Sequence, residues 1–330
     1  MSERIRLGML RLSDAAPVVA ADRHGIFRAH GLDVEIIVEP SWANIADKLG
    51  YGLLEGAVML PPLAIACALG LRGRRTDLVV PMSLSANGNA LTLARKWQNE
   101  FPSGGIQALT SRQRLRLAVV HAYSTHDLLL RYWLAANGVG VDTSVEITVL
   151  SPSEMVSSLA AGAIDGFCAG APWNHVAAKA GLGFEAIKTG NIWRNHPEKC
   201  LAMRADFVDR DPARTHLLLT ALREAAAYCT APANRPVLAA LLARPEYLDL
   251  PQDTLETSLD PAEGGPTFSA SYPSPRHAAW FATQMLRWGT VPENALDLAR
   301  GLYRPTLYLA AGGRKPEEIK EMFCDTITAS

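Results

Sequence analysis

The sequence predicts an α/β protein of two lobes, each built on a mostly parallel sheet with helices on both faces. Three observations lead there. At 330 residues the chain has the natural length for two units of roughly 100–200 residues each. Short apolar, β-branched runs alternate with helical segments in two consecutive βα series, and that rhythm is the mark of a doubly covered parallel sheet. The last third of the chain reads almost wholly as helix.

The first series places strands over 4–10, 32–38, 57–60 and 77–82. Helices over 15–24, 42–50 and 61–71 alternate with them, the first stopping at Gly25. Residues 97–113 hold Asn99, Pro102, Ser103, Gly104, Gly105 and Ser111 among several charges. They read as a loop at a lobe boundary. The second series places strands over 115–121, 145–150 and 165–169 and helices over 124–137, 152–161 and 172–180. Helices follow over 212–230, 235–244 and 275–288. The expected division is therefore 1–95 for the first part of lobe one, 96–204 for lobe two and 205–330 for a mainly helical return to lobe one.

Composition narrows the function classes. Apolar residues make up 48% of the chain, and 32 basic residues against 33 acidic ones leave a formal charge of −1 with no basic tail or stripe. Direct binding to nucleic acid has little support from such a balance. No apolar run reaches the roughly 20 residues that span a bilayer. Met1-Ser2-Glu3-Arg4 runs straight into the first strand with no apolar stretch of signal length. The cysteines, Cys67, Cys168, Cys200, Cys229 and Cys324, are odd in number and scattered, without zinc or redox spacing. Both features lead to the expectation of a reducing, cytoplasmic setting.

Four helix starts stand directly after strands: Ser13-Asp14-Ala15-Ala16-Pro17, Pro40-Ser41-Trp42-Ala43-Asn44, Ser124-Thr125-His126-Asp127 and Gly170-Ala171-Pro172-Trp173. Ser41 suits an N-cap, Ser124 and Asp127 form a variant of the capping box, and Pro172 suits a first turn. In a doubly wound sheet, ligands bind where strands end and helices begin, beside free N–H groups and the positive helix end. None of these starts is a glycine-rich phosphate loop, so a small anion is a better expectation than a nucleotide. Taken one at a time, the residues have ordinary explanations. Trp42 would pack, His126 would be solvated or structurally bonded, Lys199 would be a surface charge and Asn89 a turn residue.

Together, these segments resemble the nitrate- and bicarbonate-binding proteins of ABC transporters and their soluble nitrate/nitrite-sensor relatives. The resemblance is carried by Leu12-Ser13-Asp14-Ala15-Ala16-Pro17, Pro40-Ser41-Trp42-Ala43, Leu60-Pro61-Pro62 and Thr125-His126-Asp127. It continues through Arg131-Tyr132-Trp133-Leu134, Phe167-Cys168-Ala169-Gly170-Ala171-Pro172-Trp173-Asn174, His196-Pro197-Glu198-Lys199 and Met203-Arg204-Ala205-Asp206. It is clearest over 5–205 and patchier beyond 230.

The resemblance implies a type II periplasmic-binding-protein fold, two α/β lobes closing on an anion in the cleft between them. It implies a ligand set of Trp42, Asn89, His126, Gly170 and Lys199. Lys199 would supply the positive charge, Trp42, Asn89 and His126 side-chain N–H groups, and Gly170 a backbone N–H. That suits nitrate or nitrite, acceptor-only anions whose burial needs a cation and donors. Two departures stand out: Asn89 where the transport relatives carry Gln, and Ala171 where they carry Glu before Pro-Trp-Asn. No oxygen-ligand cluster is present, so no metal and no cofactor are expected.

No nucleophile–base pair or carboxylate dyad presents itself, so an enzyme is not expected, although Cys168 and Cys200 are possible nucleophiles. With no export signal read, the expectation is a cytoplasmic sensor of the NasS type. It would hold an RNA-binding antiterminator regulator of nitrate assimilation and release it when nitrate or nitrite binds. The first alternative is the solute-binding component of a nitrate/bicarbonate ABC transporter, and the second is a cytoplasmic enzyme on the same fold.

Overall fold

The computed structural model describes residues 4–269, 272–289 and 291–316. Cys324 and the first three residues lie outside them. Among the described residues eleven strands form two sheets: β1 (Ile5–Met9), β2 (Val34–Val38), β3 (Gly56–Met59), β4 (Leu78–Asn87), β5 (Asn89–Ala94), β6 (Leu115–Val119), β7 (Val145–Val149), β8 (Gly166–Gly170), β9 (Gly183–Lys188), β10 (Pro197–Arg204) and β11 (Pro266–Thr267). The first sheet has the order β11-β4-β10-β3-β1-β2 and the second β7-β6-β8-β5-β9. This is the expected two-lobed α/β architecture of the type II binding-protein fold.

In each sheet a parallel core carries the βα units. β1 pairs in parallel with β2 and β3, and β6 with β7 and β8. The strands that pass between the lobes run antiparallel to their neighbours: β5 against β8 and β9, and β10 against β3 and β4. The chain leaves the first sheet at Gly88, in a left-handed conformation (φ +87°) with Pro266 against it. Only glycine takes that turn cheaply. The return to the first sheet begins at Pro197. By strand pairing, residues 89–94 therefore belong to the second sheet and residues 197–204 to the first.

Helix starts follow the strands as the sequence expects. Ser41 caps the helix Trp42–Gly50, its Oγ accepting from the Asn44 N–H at 3.2 Å. Ser124 caps the helix Thr125–Ala136, accepting from the Asp127 N–H at 3.0 Å while donating to the His121 carbonyl at 2.6 Å. Ser151 and Glu154 form a full capping box ahead of Pro152–Ala160. The segment read as a loop over 97–113 is different. It holds a helix, Phe101–Thr110, with Pro102 in its first turn and a kink at Gly105 (φ +58°). Proline is tolerated in the first turn because its missing N–H would be unpaired there anyway, so the Pro and Gly residues mark a start and a bend.

One apolar core is common to both sheets, with Leu63 and Trp42 beside Leu91, Phe167 and Trp280. A second lies under β1, where Leu7 and Met9 meet Leu218, Leu222 and Leu238. Each fully buried leucine contributes about 1.5–3 kcal/mol by leaving water. Among the C-terminal helices, Pro212–Thr230 lies on Ala16–Arg23, and both Pro275–Arg287 and Ala295–Leu302 pack on Pro61–Leu69. Gln252–Ser258 touches Trp173–Lys179, which follows β8.

Because Ser124 is buried and satisfies two backbone groups at one helix start, Ser124→Ala should lower unfolding stability by about 1–2 kcal/mol. Urea melts check this, and an unchanged midpoint would show that the cap contributes nothing.

Candidate functional site

The site is built where strand ends from both sheets face each other. In the first half, the turn after β1 carries Asp14, and the helix after β2 starts with Trp42. β10 contributes Glu198 and Lys199, which are neighbours in sequence. In a regular strand they would point to opposite faces. Pairing of β10 with β4 is irregular here, running Pro197↔Ala86, Lys199↔Ser85, Cys200↔Ser83. Such a bulge re-aims side chains, and both residues turn into the same cluster. The Lys199 Nζ donates to Glu198 Oε1 at 2.6 Å and stands 2.7 Å from Asp14 Oδ2. It also lies 5.5 Å from the centre of the Trp42 ring. All four side chains are buried.

From the second half come Asn89 at the start of β5, Gly170 at the end of β8 and His126 in the first turn of the helix after β6. Asn89 and Gly170 are direct cross-strand partners. The next pair along, Gly88 and Ala171, is hydrogen-bonded, with Ala171 N donating to Gly88 O at 2.8 Å. Bonded and non-bonded pairs alternate in an antiparallel ladder, so the Gly170 N–H turns away from β5. A Cβ on Gly170 would stand 3.2 Å from Asn89 Oδ1 and 3.7 Å from His126 Nε2. Gly170 therefore keeps open the space those two side chains face. Thr189 braces this side, donating to the Asn89 carbonyl at 3.0 Å and meeting His196 Nε2 at 2.8 Å.

Glu198 joins the two halves. His126 Nε2 lies 3.5 Å from its Oε1, and His196 Nδ1 lies 3.7 Å from its Oε2. Those separations are too long for firm hydrogen bonds. Several buried polar atoms consequently have no protein partner: Trp42 Nε1, both ends of the Asn89 amide, both His126 nitrogens, Thr125 Oγ1, Asp14 Oδ1 and Glu198 Oε2. Buried polar atoms are rarely left unpaired, and each one costs about 1–3 kcal/mol. A group of them in one place is the signature of a polar ligand site. A cavity of about 300 Å³ opens between Arg11, Glu39 and Pro40 on one side and Pro152, Ser153 and Trp173 on the other, and none of the cluster's residues lines it.

The charges in the cluster are coupled. Burial alone would raise Glu198, but the Lys199 ammonium is the main charge that brings it down to about 2. Burial outweighs the pull of Lys199 at Asp14, and Glu198 adds to the rise, so the Asp14 carboxyl titrates above its ordinary value. Burial would lower Lys199, yet Asp14 and Glu198 raise it above its ordinary value, which keeps it an ammonium. Burial takes His126 down to about 3 despite Glu198, so it is a neutral ring with one N–H to give.

All five residues expected from the sequence, Trp42, Asn89, His126, Gly170 and Lys199, thus meet in one buried cluster drawn from both halves. Two expectations about them need correction. Lys199 is not a free positive charge, since two carboxylates already hold it, and its strand is buried rather than a polar surface stretch. Cys200, beside Lys199, has its thiol pushed up by burial, as does Cys168, which suits neither to nucleophilic attack. Sequence reasoning missed Asp14 and Glu198 as members of the site. Both stood inside quoted motifs, but period-two reading separates Glu198 from Lys199, and only the bulge reunites them. Among the described residues no three His, Cys, Asp or Glu side chains are grouped to hold a metal ion.

The profile of the NMT1-like family matches residues 1–243. Over 92% of its length the chain is 37% identical to the nitrate import ATP-binding protein NrtC of a Synechocystis species, covering 49% of that protein. Over 87% of its length it is 35% identical to the bicarbonate transport ATP-binding protein CmpC of Synechococcus elongatus, covering 46% of it. The chain spans about half the length of these two relatives. The crystal structure of the periplasmic nitrate-binding protein NrtA from Synechocystis PCC 6803 matches with a TM-score of 0.88 and 28% identity, over 94% of this chain and 88% of that one. The fold is that of a periplasmic binding protein.

These relatives are transport proteins, and they overturn the reading of a cytoplasmic NasS-type sensor. The antiterminator regulator as a partner and the cytoplasmic setting fall with it. The physical reason is plain: an anion pocket has the same chemistry in a sensor and in a transport receptor. The choice had rested on how the chain begins, which does not report its compartment.

Lys199 is the cation that balances two buried carboxylates. Lys199→Ala should therefore lower stability at neutral pH by about 3–5 kcal/mol. Part of that loss should return as the pH falls and the stranded carboxyls take up protons. Urea unfolding at two pH values checks this, and a variant as stable as the parent would deny the ammonium that role.

Proposed function

We propose, on the premise that this chain belongs to the NMT1-like family, that it is the solute-binding component of an ATP-driven importer for a small oxyanion: nitrate, nitrite or bicarbonate. It works on the periplasmic side and delivers the anion by closing its two lobes over it. The observation that carries this reading is the group of unpartnered, buried N–H donors, Trp42 Nε1, Asn89 Nδ2 and the His126 ring, contributed by both halves around the bare backbone of Gly170.

In this reading the three side chains donate to the edge of the planar anion, and the outward-turned Gly170 N–H adds a fourth donor. Lys199 contributes its field from within its carboxylate pair. Donors fixed before the ligand arrives cost no reorganisation when it binds, and in a dry site each hydrogen bond to an anion is stronger than one between neutral groups. Because the anion touches groups from both halves, binding favours the closed arrangement by whatever contacts the open one lacks. A transport receptor needs that difference, because only the loaded form should be read by the membrane partner.

Two measurements test the reading. In a thermal-shift series, at least one of nitrate, nitrite and bicarbonate should raise the melting temperature in a concentration-dependent way. Indifference to all three would refute an oxyanion pocket of this kind. His126→Ala should weaken binding of the preferred anion at least about tenfold, or about 1.4 kcal/mol. An unchanged dissociation constant in calorimetry would remove His126 from the pocket.

A further inference from the structure

We propose that the pocket takes up its acceptor-only anion together with one proton, which comes from solvent and rests on the buried Asp14–Glu198 carboxylate pair, so that affinity rises as the pH falls. The proposal rests on the anion-binding reading above and deepens it.

The argument starts from how this protein treats its buried acids. Glu39 is paired with Lys48, Glu55 with Arg6, Asp127 with Arg131, and Asp165 with both Lys96 and Arg116. Each has a cation of its own. Asp14 and Glu198 break that pattern, for they share Lys199, which is the only buried lysine or arginine among the described residues. An anion entering here meets one more buried negative charge than positive charge before its own is added.

Among the described residues, no other facing group supplies a second positive charge. From the helix after β6 come His126, which is neutral, and Asp127, which burial raises to about 6 although Arg131 pairs with it. β10 adds His196 and Cys200, and β8 adds Cys168. Burial holds His196 in its neutral form although Glu198 opposes it, and keeps both thiols protonated. The helix Pro275–Arg287 brings His277, which burial and His196 lower to about 4. The Tyr303 hydroxyl is likewise held neutral by burial. His126, His196 and Asp127 have proton sites too, but the unbalanced charge lies on the carboxylate pair, and each of its members keeps an unpartnered oxygen, Asp14 Oδ1 and Glu198 Oε2.

One proton changes two things together. It removes a like charge from beside the anion, and it turns a carboxylate that can only accept into an acid with an O–H to donate. Nitrate, which only accepts, gains from both. Burial already raises Asp14, and a neighbouring anion pushes it further the same way. A ligand that raises an acid's pKa binds with proton uptake. Affinity then falls as pH rises between the acid's free and bound pKa values, by up to about tenfold per pH unit for one proton.

The experiment is calorimetry of nitrate binding from about pH 5.5 to about 8.5, repeated in buffers of different ionisation enthalpy, which counts the protons exchanged. The expected result is uptake approaching one proton per nitrate, with affinity weakening as pH rises through the same interval. Asp14→Asn and Glu198→Gln, each with one titrating acid fewer, should show that uptake abolished or sharply reduced. Nitrate binding with no proton uptake anywhere in the range would overturn the proposal and leave the anion reading standing. Full uptake retained in both variants would also overturn it by placing the proton elsewhere. Should one variant fail to fold, the other and the parent's proton count still decide. If nitrate, nitrite and bicarbonate all fail to bind the parent, the anion reading falls and this proposal with it.

Discussion

The Lys199 ammonium, held between Asp14 and Glu198, is the constraint on which the rest of the site depends. Three full charges lie out of water, and only their mutual contacts at 2.6 and 2.7 Å make that tolerable. Isolated buried charges are prohibitively costly, and buried pairs are kept only where the geometry is good. The cluster in turn fixes its surroundings. It sets Lys199 beneath the Trp42 ring, draws Glu198 to within reach of His126 and His196, and so couples residues of the first sheet to residues of the second. Removing the ammonium would disturb the fold and the pocket at once, so a binding assay on such a variant cannot be read without a stability measurement beside it.

The two sheets meet at this cluster because of how the chain passes between them. Gly88 turns the chain from β4 directly into β5, which sets Asn89 opposite Gly170. β10 then returns through the centre of the first sheet with a bulge at Glu198 and Lys199. Each passage therefore delivers a site residue at the point of crossing. A pocket laid out in this way senses the relation of the two halves, since neither half holds the complete donor set.

Much of this was legible in the sequence, for identifiable reasons. The parallel units were readable because each strand is a short, largely apolar run followed by a helix, and three of the helix starts are marked by their own capping residues. Ser41, Ser124 and the Ser151–Glu154 pair mark those starts with their own side chains. Of the antiparallel strands, only the first half of β4 was readable, at 77–82. β5 and β9 lie in the second sheet without a following helix of the usual kind, and β10 opens with Pro-Glu-Lys, which reads as surface. The helix Phe101–Thr110 was hidden by a proline and two glycines that serve as its start and bend. In the cluster, the five proposed ligand positions came from resemblance to a family. Asp14 and Glu198 did not, because their importance is a matter of charge count in a dry place, and local sequence does not show which acids share a cation. Nor could the pocket tell a sensor from a transport receptor, since that difference lies in what reads the closed form.

Two carboxylates might be thought to disqualify an anion site, and magnitudes show otherwise. Two like charges about 5 Å apart at an effective dielectric near 20 repel by about 3 kcal/mol. Protonating a carboxyl costs about 1.4 kcal/mol for each pH unit above its pKa, and the burial that raises Asp14 lessens that cost. Against it, the proton relieves the repulsion and brings a donor worth about 1.5–3 kcal/mol toward a charged acceptor. Acids with a lysine between them thus form a site whose charge adjusts to its occupant, whereas a lone lysine would attract any small anion of the right charge. The same arithmetic separates ligands by the hydrogen they carry. Bicarbonate brings an O–H that an ionised carboxylate can accept, while nitrate must be matched by a proton from solvent. Selection between two planar anions of one charge and similar size then turns on acceptors as much as on donors, and Asp14 and Glu198 are the residues that hold them.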